Sequence, residues 1–421
     1  MCRQMENFSD VIVIGGGPCG SFSALNLSKK GFNVKVFEEH SEIGVPSHCA
    51  GHVSINGLKN LGLYPLPKGV IENTFVGAKF YSPNGTVFTV RLVEPITCVV
   101  NRTLFDRYVA ELAQKFGALY SLGTRIESLV FADGFVKGAI VKQHGKLFKF
   151  FGRITLDAEG VSARLLKQAL SIPPKRNKLV VGAQVEVENV KDLETDIVEV
   201  ILGRNYAPGF YAWLIPKNET EAKVGLGAKT GNPRILLKRL MGKHPAISTK
   251  LRTAKVIRQS YHPITLGGPI QKAYTNGFLV VGDAASQVKP TTGGGIILGL
   301  NCARIAADVA TEALNKNDFS AEFLSMYQRR VMKTFGFDLK IMLRIREMLD
   351  KLPDEKLDAI VSLCRKIRLG EAFKDLKEVD FQGRAILGLA QNPRALTVLV
   401  FFFLNYLLWN LKTEFQQCSS G

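Results

Sequence analysis

The chain has 421 residues, 46% hydrophobic and 22% charged, which suits a globular protein of two or three lobes and excludes a disordered or fibrous one. It is strongly basic, with 55 lysines and arginines against 37 aspartates and glutamates, a formal charge of +18. Such a surface suits an anionic membrane or an acidic electron carrier. Without an arginine-rich arm, zinc spacing or aromatic-basic RNA motif, it gives no case for nucleic acid.

The first element is a buried parallel strand, Val11 to Ile14, running into Gly15-Gly-Gly17-Pro-Cys19-Gly20 and a helix from Gly20 to Lys30. In this GxGxxG pattern Gly15 permits the tight turn, Gly17 lets backbone approach a pyrophosphate, and Gly20 lets the helix pack on the strand. The helix N-terminus then faces the phosphates. A second strand, Asn33 to Glu38, ends on the acid expected to accept the ribose hydroxyls. Cys19 reads as a packing residue in the fingerprint. The turn-rich loop Ser41 to Gly51 carries Cys49, Ala50 and Gly51.

Further on, Phe75 to Val100 reads as short strands with an Asn84-Gly85 hairpin turn. Thr103 to Phe116 reads as an amphipathic helix with Leu104, Tyr108, Leu112 and Phe116 on its apolar side. Strands recur from Arg125 to Leu156, with a turn at Asp133-Gly134, and the region from about 180 to 275 is β-rich again. Within it, period-two alternation puts Tyr211 and Trp213 on one face, with Phe210, Ala212 and Leu214 on the other. Two adjacent aromatics with polar tips make a wall suited to a long apolar chain.

A buried strand, Gly277 to Val281, leads into a second glycine cluster: Gly282-Asp283-Ala-Ala, then Pro290-Thr-Thr-Gly293-Gly294-Gly295-Ile296. Asp283 is placed to bond the ribityl and pyrophosphate side of a flavin. The loop offers backbone N–H donors to its pyrimidine end, where negative charge develops on reduction. Together the two clusters point to FAD. From about Phe319 the chain reads as helical. Its last apolar stretch, Ala395 to Leu411, follows an Asn392-Pro393 N-cap. At seventeen residues it is marginal for a membrane span and reads as a buried or half-embedded helix at a membrane face.

The seven cysteines are scattered and never spaced CxxC, which argues against a disulfide framework or a metal site. With no apolar leader before the first strand, the expected location is cytoplasmic, peripherally on the membrane. The fold class expected is α/β. A discontinuous Rossmann-type FAD domain (1–58, 97–172 and 275–330) holds an inserted mixed β-sheet substrate domain (59–96 and 173–274). A helical C-terminal region (331–421) follows, with the apolar helix at 395–411.

Several segments together resemble the geranylgeranyl reductase family, within the flavoproteins built like p-hydroxybenzoate hydroxylase. GDAASQVKPTTGGGI resembles its GDAA-x-x-x-x-P-x-x-GGGI signature, and Gly44 to Gly51 its GxPxxCxG loop. Pro208 to Pro216 resembles its PxxYxWxFP motif, with Ile215 where phenylalanine is usual. Arg102 matches the arginine of a third cofactor contact, and Asp157 to Arg164 a dual-function motif with Glu159 in place of aspartate.

The resemblance implies FAD held by Gly15, Gly17, Cys19, Gly20, Glu38, Cys49, Ala50, Gly51, Arg102, Asp283, Gly294, Gly295 and Ile296. It implies substrate contacts from Tyr211, Trp213 and Pro290; the candidate proton donors are Cys49, Tyr211 and a water held between them. The substrate it implies is a geranylgeranyl chain, on either a digeranylgeranylglycerophospholipid or a chlorophyll precursor; the basic charge and the apolar helix favour the phospholipid. Ferredoxin or NAD(P)H would supply electrons. The rival readings are a flavin monooxygenase or halogenase on the same scaffold, and a non-catalytic prenyl-lipid escort.

Overall fold

The run Asp10-Val-Ile-Val-Ile is apolar on both faces because it lies mid-sheet. In the computed structural model, which describes residues 7–170, 178–374, 379–380 and 382–418, it forms the inner part of β1 (Phe8–Ile14). β1 pairs in parallel with β2 (Val34–Phe37) and with the last half of β11 (Lys146–Asp157). β8 (Leu119–Ser121) extends the sheet beyond β2, and β18 (Phe278–Val280) and β17 (Tyr274–Thr275) extend it beyond β11. The first half of β11 instead pairs antiparallel with β10 (Phe135–Gln143), which pairs with β9 (Thr124–Ala132). Helices α1 (Pro18–Ser28), α3 (Arg102–Lys115) and α7 (Ile296–Lys316) pack together beside this sheet.

A second sheet has seven strands. Its order is β16 (Lys255–Thr265), β12 (Leu179–Glu188), β15 (Ala222–Ala228), β14 (Ala212–Pro216), β13 (Ile197–Ile201), β5 (Gly77–Tyr81) and β6 (Val87–Arg91). All pairs are antiparallel except β13 with β5, so the 77–91 hairpin joins the sheet built by residues 179–265. The hairpin turns at Asn84-Gly85, with Gly85 at φ +89°. α5 (Pro233–Lys243) and α6 (Pro245–Lys250) cover one side. A small sheet of β3 (His52–Ser54), β7 (Thr97–Val100) and β4 (Ile71–Phe75) bridges the two large ones, beside α2 (Ile55–Asn60). The remaining helices are α4 (Arg164–Leu170), α8 (Ala321–Lys351), α9 (Asp354–Lys366), α10 (Gln382–Leu389) and α11 (Pro393–Cys418).

Three local expectations shift. In α3 the core takes Phe105, Val109 and Ala113, while Leu104 and Phe116 are exposed and Tyr108 and Leu112 only half-buried. Both registers satisfy helical spacing, and only packing against α1 selects between them. Strand β14 starts at Ala212, so alternation does not reach back to Phe210, whose ring packs with Tyr211 and Trp213 rather than opposite them. The apolar C-terminal stretch belongs to a longer helix, α11, capped by the Asn392 side chain, which accepts from Arg394 N at 3.0 Å.

Candidate functional site

The opening turn is built by steric exclusion. Gly15 holds φ at +94°, and a Cβ there would lie 2.5 Å from Ala158 O. At Gly20 a Cβ would fall 1.9 Å from Gly15 O, so helix and strand approach too closely for any side chain. A Cβ on Gly17, by contrast, meets no atom within 4 Å and would enter the cavity that Gly17 lines. Gly17 also caps α1 without a side-chain bond, which leaves the first helical amides for an anionic ligand. Glu38 lies 9% exposed beside this turn; Oε2 accepts from Gly16 N at 2.7 Å and Oε1 from His40 N at 3.0 Å.

Strand β11 ends in Asp157, fully buried, with Oδ1 accepting from Glu159 N at 3.0 Å. Burial pushes its carboxyl well above the usual range, and the neighbouring Glu159 adds to the effect. Glu159 itself accepts from Leu165 N at 2.6 Å, so the 157–164 motif holds the start of α4 in place.

The second cluster folds as a helical turn, Gly282–Ala285, and a loop that enters α7 at Ile296. Gly295 caps α7 without a side-chain bond, so here too amides are left over. Gly293 takes φ +69°, and a Cβ on Gly295 would sit 3.0 Å from Asp283 Oδ1. Asp283 lines the cavity; burial raises its carboxyl, and Arg102 opposes that. Pro290 is buried and does not line the cavity, because the chain turns its neighbours Thr291 and Thr292 to the wall instead.

Cys49 is exposed on the cavity wall, its Sγ accepting from Gly51 N at 3.4 Å. Arg102 forks onto Asp106 at 3.0 and 2.8 Å and also bonds Cys49. Burial works against the Arg102 charge, but Asp106 and Cys49 outweigh it and hold the guanidinium protonated. His48 stacks on His262 at 5.1 Å, and burial with that neighbour keeps it below the usual histidine range. The positive group beside Cys49 is therefore Arg102. Cys19 is pushed up by burial and packs against Gly282 and Gly299, whose missing side chains make room for its sulfur.

Tyr211 donates its hydroxyl to Thr292 O at 2.6 Å, and burial raises its pKa, so its proton is committed to the flavin-side loop. Trp213 donates Nε1 to Gln184 Oε1 at 3.1 Å, and its indole lies where a Cβ on Gly225 would be, 2.5 Å away. Gly17, Cys19, Cys49, Arg102, Asp283, Tyr211 and Trp213 line one cavity of about 920 Å³ that runs on between the seven-stranded sheet and the ends of α8 and α9. Beyond the aromatic pair its wall is apolar, with Phe80, Val198, Val200 and Leu202 from the sheet.

Sequence reasoning missed four residues. Arg346 of α8 is 6% exposed, sits 5.6 Å over the Phe210 ring and pairs with Asp350 at 2.7 Å. Lys289 and Asp380 form a pair at 2.9 Å, with both side chains under 15% exposed, and both line the cavity, as does Gln184. Charged residues on a helix or a loop carry no sequence signal of facing inward. Only the GDAA context marked the neighbourhood of Lys289.

These features fit FAD. The open space at Gly17 and the unbonded amides of α1 suit its pyrophosphate, and the Asp283 carboxyl faces the same cavity. Fold and site thus define a Rossmann-type flavoprotein with FAD as its cofactor.

Residues 179–258 match the model of the geranylgeranyl reductase catalytic domain, and residues 13–61 that of an NAD(P)-binding Rossmann-like domain. The chain is 34% identical over 387 residues to digeranylgeranylglycerophospholipid reductase of Methanocaldococcus jannaschii, covering 91% of this chain and 96% of that one. Its counterpart in Methanosarcina acetivorans is 32% identical over 442 residues, covering 99% and 98%. A geranylgeranyl bacteriochlorophyll reductase-like structure from Thermoplasma acidophilum superposes with a TM-score of 0.83 at 26% identity, covering 94% and 99%. A flavin-dependent brominase, at a TM-score of 0.65 and 16% identity over 98% and 100%, shares the fold alone. The chain belongs to the geranylgeranyl reductase family.

Proposed function

We propose that the protein saturates the double bonds of geranylgeranyl chains on digeranylgeranylglycerophospholipids, working from the cytoplasmic face of an anionic membrane. The observation that carries this is the continuity of one cavity from the nucleotide turn at Gly17, past Cys49, to the apolar wall at Trp213 and Phe80. A halogenase reading has only the shared fold behind it. An escort would have no use for a flavin loop clamped by Tyr211.

In this reading the segments 1–58, 97–172 and 275–330 hold FAD, 59–96 and 173–274 cover the lipid chain, and 331–421 closes the cavity. Gly15, Gly17 and Gly20 with Cys19 shape the pyrophosphate seat, and Glu38 receives the ribose. Cys49, Ala50, Gly51 and Arg102 border the isoalloxazine, and Asp283, Gly294, Gly295 and Ile296 its pyrimidine side. When bound and reduced by two electrons, FAD would supply a hydride to one carbon of the alkene. An unactivated alkene accepts hydride poorly, so the other carbon needs a proton in the same step.

Cys49 is the donor we assign, since its Sγ faces the cavity while the Tyr211 proton is held by Thr292 O. One hydride and one proton then add across the double bond, and the thiolate left beside Arg102 is reprotonated from water. Tyr211 positions the loop. Trp213 and Phe210 orient the chain, and the apolar wall excludes water. The electrons come from ferredoxin or NAD(P)H, and the basic exterior would attract the acidic carrier.

The test uses FAD-loaded, dithionite-reduced protein given digeranylgeranylglycerophospholipid. Mass spectrometry should show lipid gaining successive pairs of hydrogens. Unchanged lipid mass overturns the proposal.

A further inference from the structure

The cavity's far end is closed by Phe88 of β6, which stacks on Phe80 at 4.9 Å, by Leu357 of α9 and by Phe373 of the helical turn Leu369–Phe373. Phe88 and Phe373 belong to the same apolar cluster as Ala395 and Val398 of α11. One side of α11 therefore packs behind the residues that close the end of the cavity. The other side is apolar and uncovered: Leu396, Val400, Phe403, Leu404 and Leu407 are 38–51% exposed and Leu408 is 64% exposed. Of the window Pro393–Asn410 only 11% is buried, and it is the one described helix long and apolar enough to cross a membrane. Continuous apolar surface of this kind marks a partner.

The chemistry of that partner is set by the rim. α9 ends in exposed Arg365 and Lys366, Arg368 follows with 77% of its side chain exposed, and Arg394 opens α11. Lys351 reaches over the Tyr406 ring at 5.7 Å. Glu371 is the carboxylate among them, and Arg394 pairs with it at 2.5 Å. The acids of α9, Asp354, Glu355 and Asp358, lie toward its other end, where Asp354 and Asp358 accept from the backbone amides of Arg204 and Asn84. Cations around an apolar stripe suit anionic headgroups over acyl chains.

We propose that α11 lies in the interfacial plane of an anionic bilayer and that its buried side marks the entrance through which a membrane lipid passes into the cavity. The bilayer is thus both the docking partner and the reservoir of substrate. An acyl or prenyl chain leaves the membrane beside α11 and reaches Phe88 and Phe373 without crossing water. The identity of that lipid rests on the reductase reading above; the docking of α11 does not.

The experiment compares the FAD-loaded full chain with a Phe403→Glu/Leu404→Glu variant, both residues lying on the exposed side of α11. Sedimentation is run with vesicles of phosphatidylglycerol, and with vesicles of phosphatidylcholine as the neutral control. We expect wild type to bind the anionic vesicles, to release them at high salt, and to bind neutral ones weakly. The variant should lose at least roughly tenfold in vesicle partition, as expected for two large side chains withdrawn from an apolar layer. In a Trp213→Phe background Trp409 is the remaining tryptophan, and its emission should be quenched by phosphatidylglycerol brominated on the acyl chains.

Turnover separates the two readings. The variant should lose reduction of substrate presented in vesicles but keep that of substrate dispersed in detergent. Vesicle binding without turnover in either form would sink the reductase reading and leave the docking of α11 standing. Equal vesicle binding and vesicle turnover by variant and wild type overturns the entrance proposal. So does a wild-type dimer that the variant converts to monomer, with no vesicle binding by either.

Discussion

Gly17 and Gly20 are three residues apart in one motif, yet the structure assigns them different jobs that two alanines separate. At Gly20 the new Cβ would sit 1.9 Å from Gly15 O and 3.1 Å from Gly15 C, both backbone atoms that cannot rotate away. Gly20→Ala must therefore push α1 off β1, an overpacking cost of about 1–3 kcal/mol or more. At Gly17 φ is −66°, a conformation alanine accepts, and nothing lies within 4 Å of the added carbon. Gly17→Ala should leave the apoprotein as stable as wild type, or more stable by up to ~1 kcal/mol through reduced unfolded-state entropy.

Its methyl group would instead hold the pyrophosphate off the turn and sacrifice about one charge-assisted hydrogen bond. That loss is worth about 1.5–3 kcal/mol, or roughly 10- to 150-fold in FAD affinity. Apoprotein unfolding in urea and FAD titration by flavin fluorescence give the two quantities independently. If Gly17→Ala binds FAD as tightly as wild type, or Gly20→Ala unfolds at an unchanged midpoint, the steric reasoning fails.

Four further outcomes are expected. Trp213→Ala should weaken lipid turnover while leaving flavin content unchanged; equal loss of both would make the indole a core residue only. Tyr211→Phe removes the bond to Thr292 O, so it should cost about 1 kcal/mol in stability and less than about tenfold in turnover. A general acid would lose roughly 10²–10⁴-fold, and a loss of that size would restore Tyr211 as the proton donor. Cys49→Ala should show the loss of about 10²–10⁴-fold with FAD still bound, and near-normal rates would remove Cys49 from the chemistry.

His244 is 1% exposed, accepts from Ile247 N at 3.2 Å, and is pushed by burial down to about 4 from 6.5. Its folded value lies below its unfolded one, so protonation favours the unfolded chain. Stability is complete above pH 6.5 and lost as pH falls towards 4, by up to about 3 kcal/mol from this group. Urea midpoints should fall over that window, and less steeply in His244→Asn, which keeps a capping acceptor.

Much of the nucleotide half was legible because its rules are local. A turn that needs φ above zero, a helix start that needs a small residue and an acid ending the next strand all sit within thirty residues. Gly15, Gly20, Glu38 and the 282–296 loop could be read from spacing. The α3 register could not, since Leu104/Tyr108 and Phe105/Val109 satisfy the same period and only contact with α1 chooses between them. Phe210 went to the wrong side because alternation was extended past the point where β14 begins.

The sequence by itself determined the cofactor cradle, the family and the apolar helix, each carried by residues adjacent in the chain. The tertiary structure decided which side chains share the cavity. It brought Arg346, Lys289 and Asp380 inward, turned Pro290 away, spent the Tyr211 proton on Thr292 and set α11 behind the cavity's end. The Tyr211–Thr292, Lys289–Asp380 and Arg346–Phe210 contacts join residues 81, 91 and 136 positions apart in the chain. They depend on how sheets and helices pack against one another, which no local period encodes.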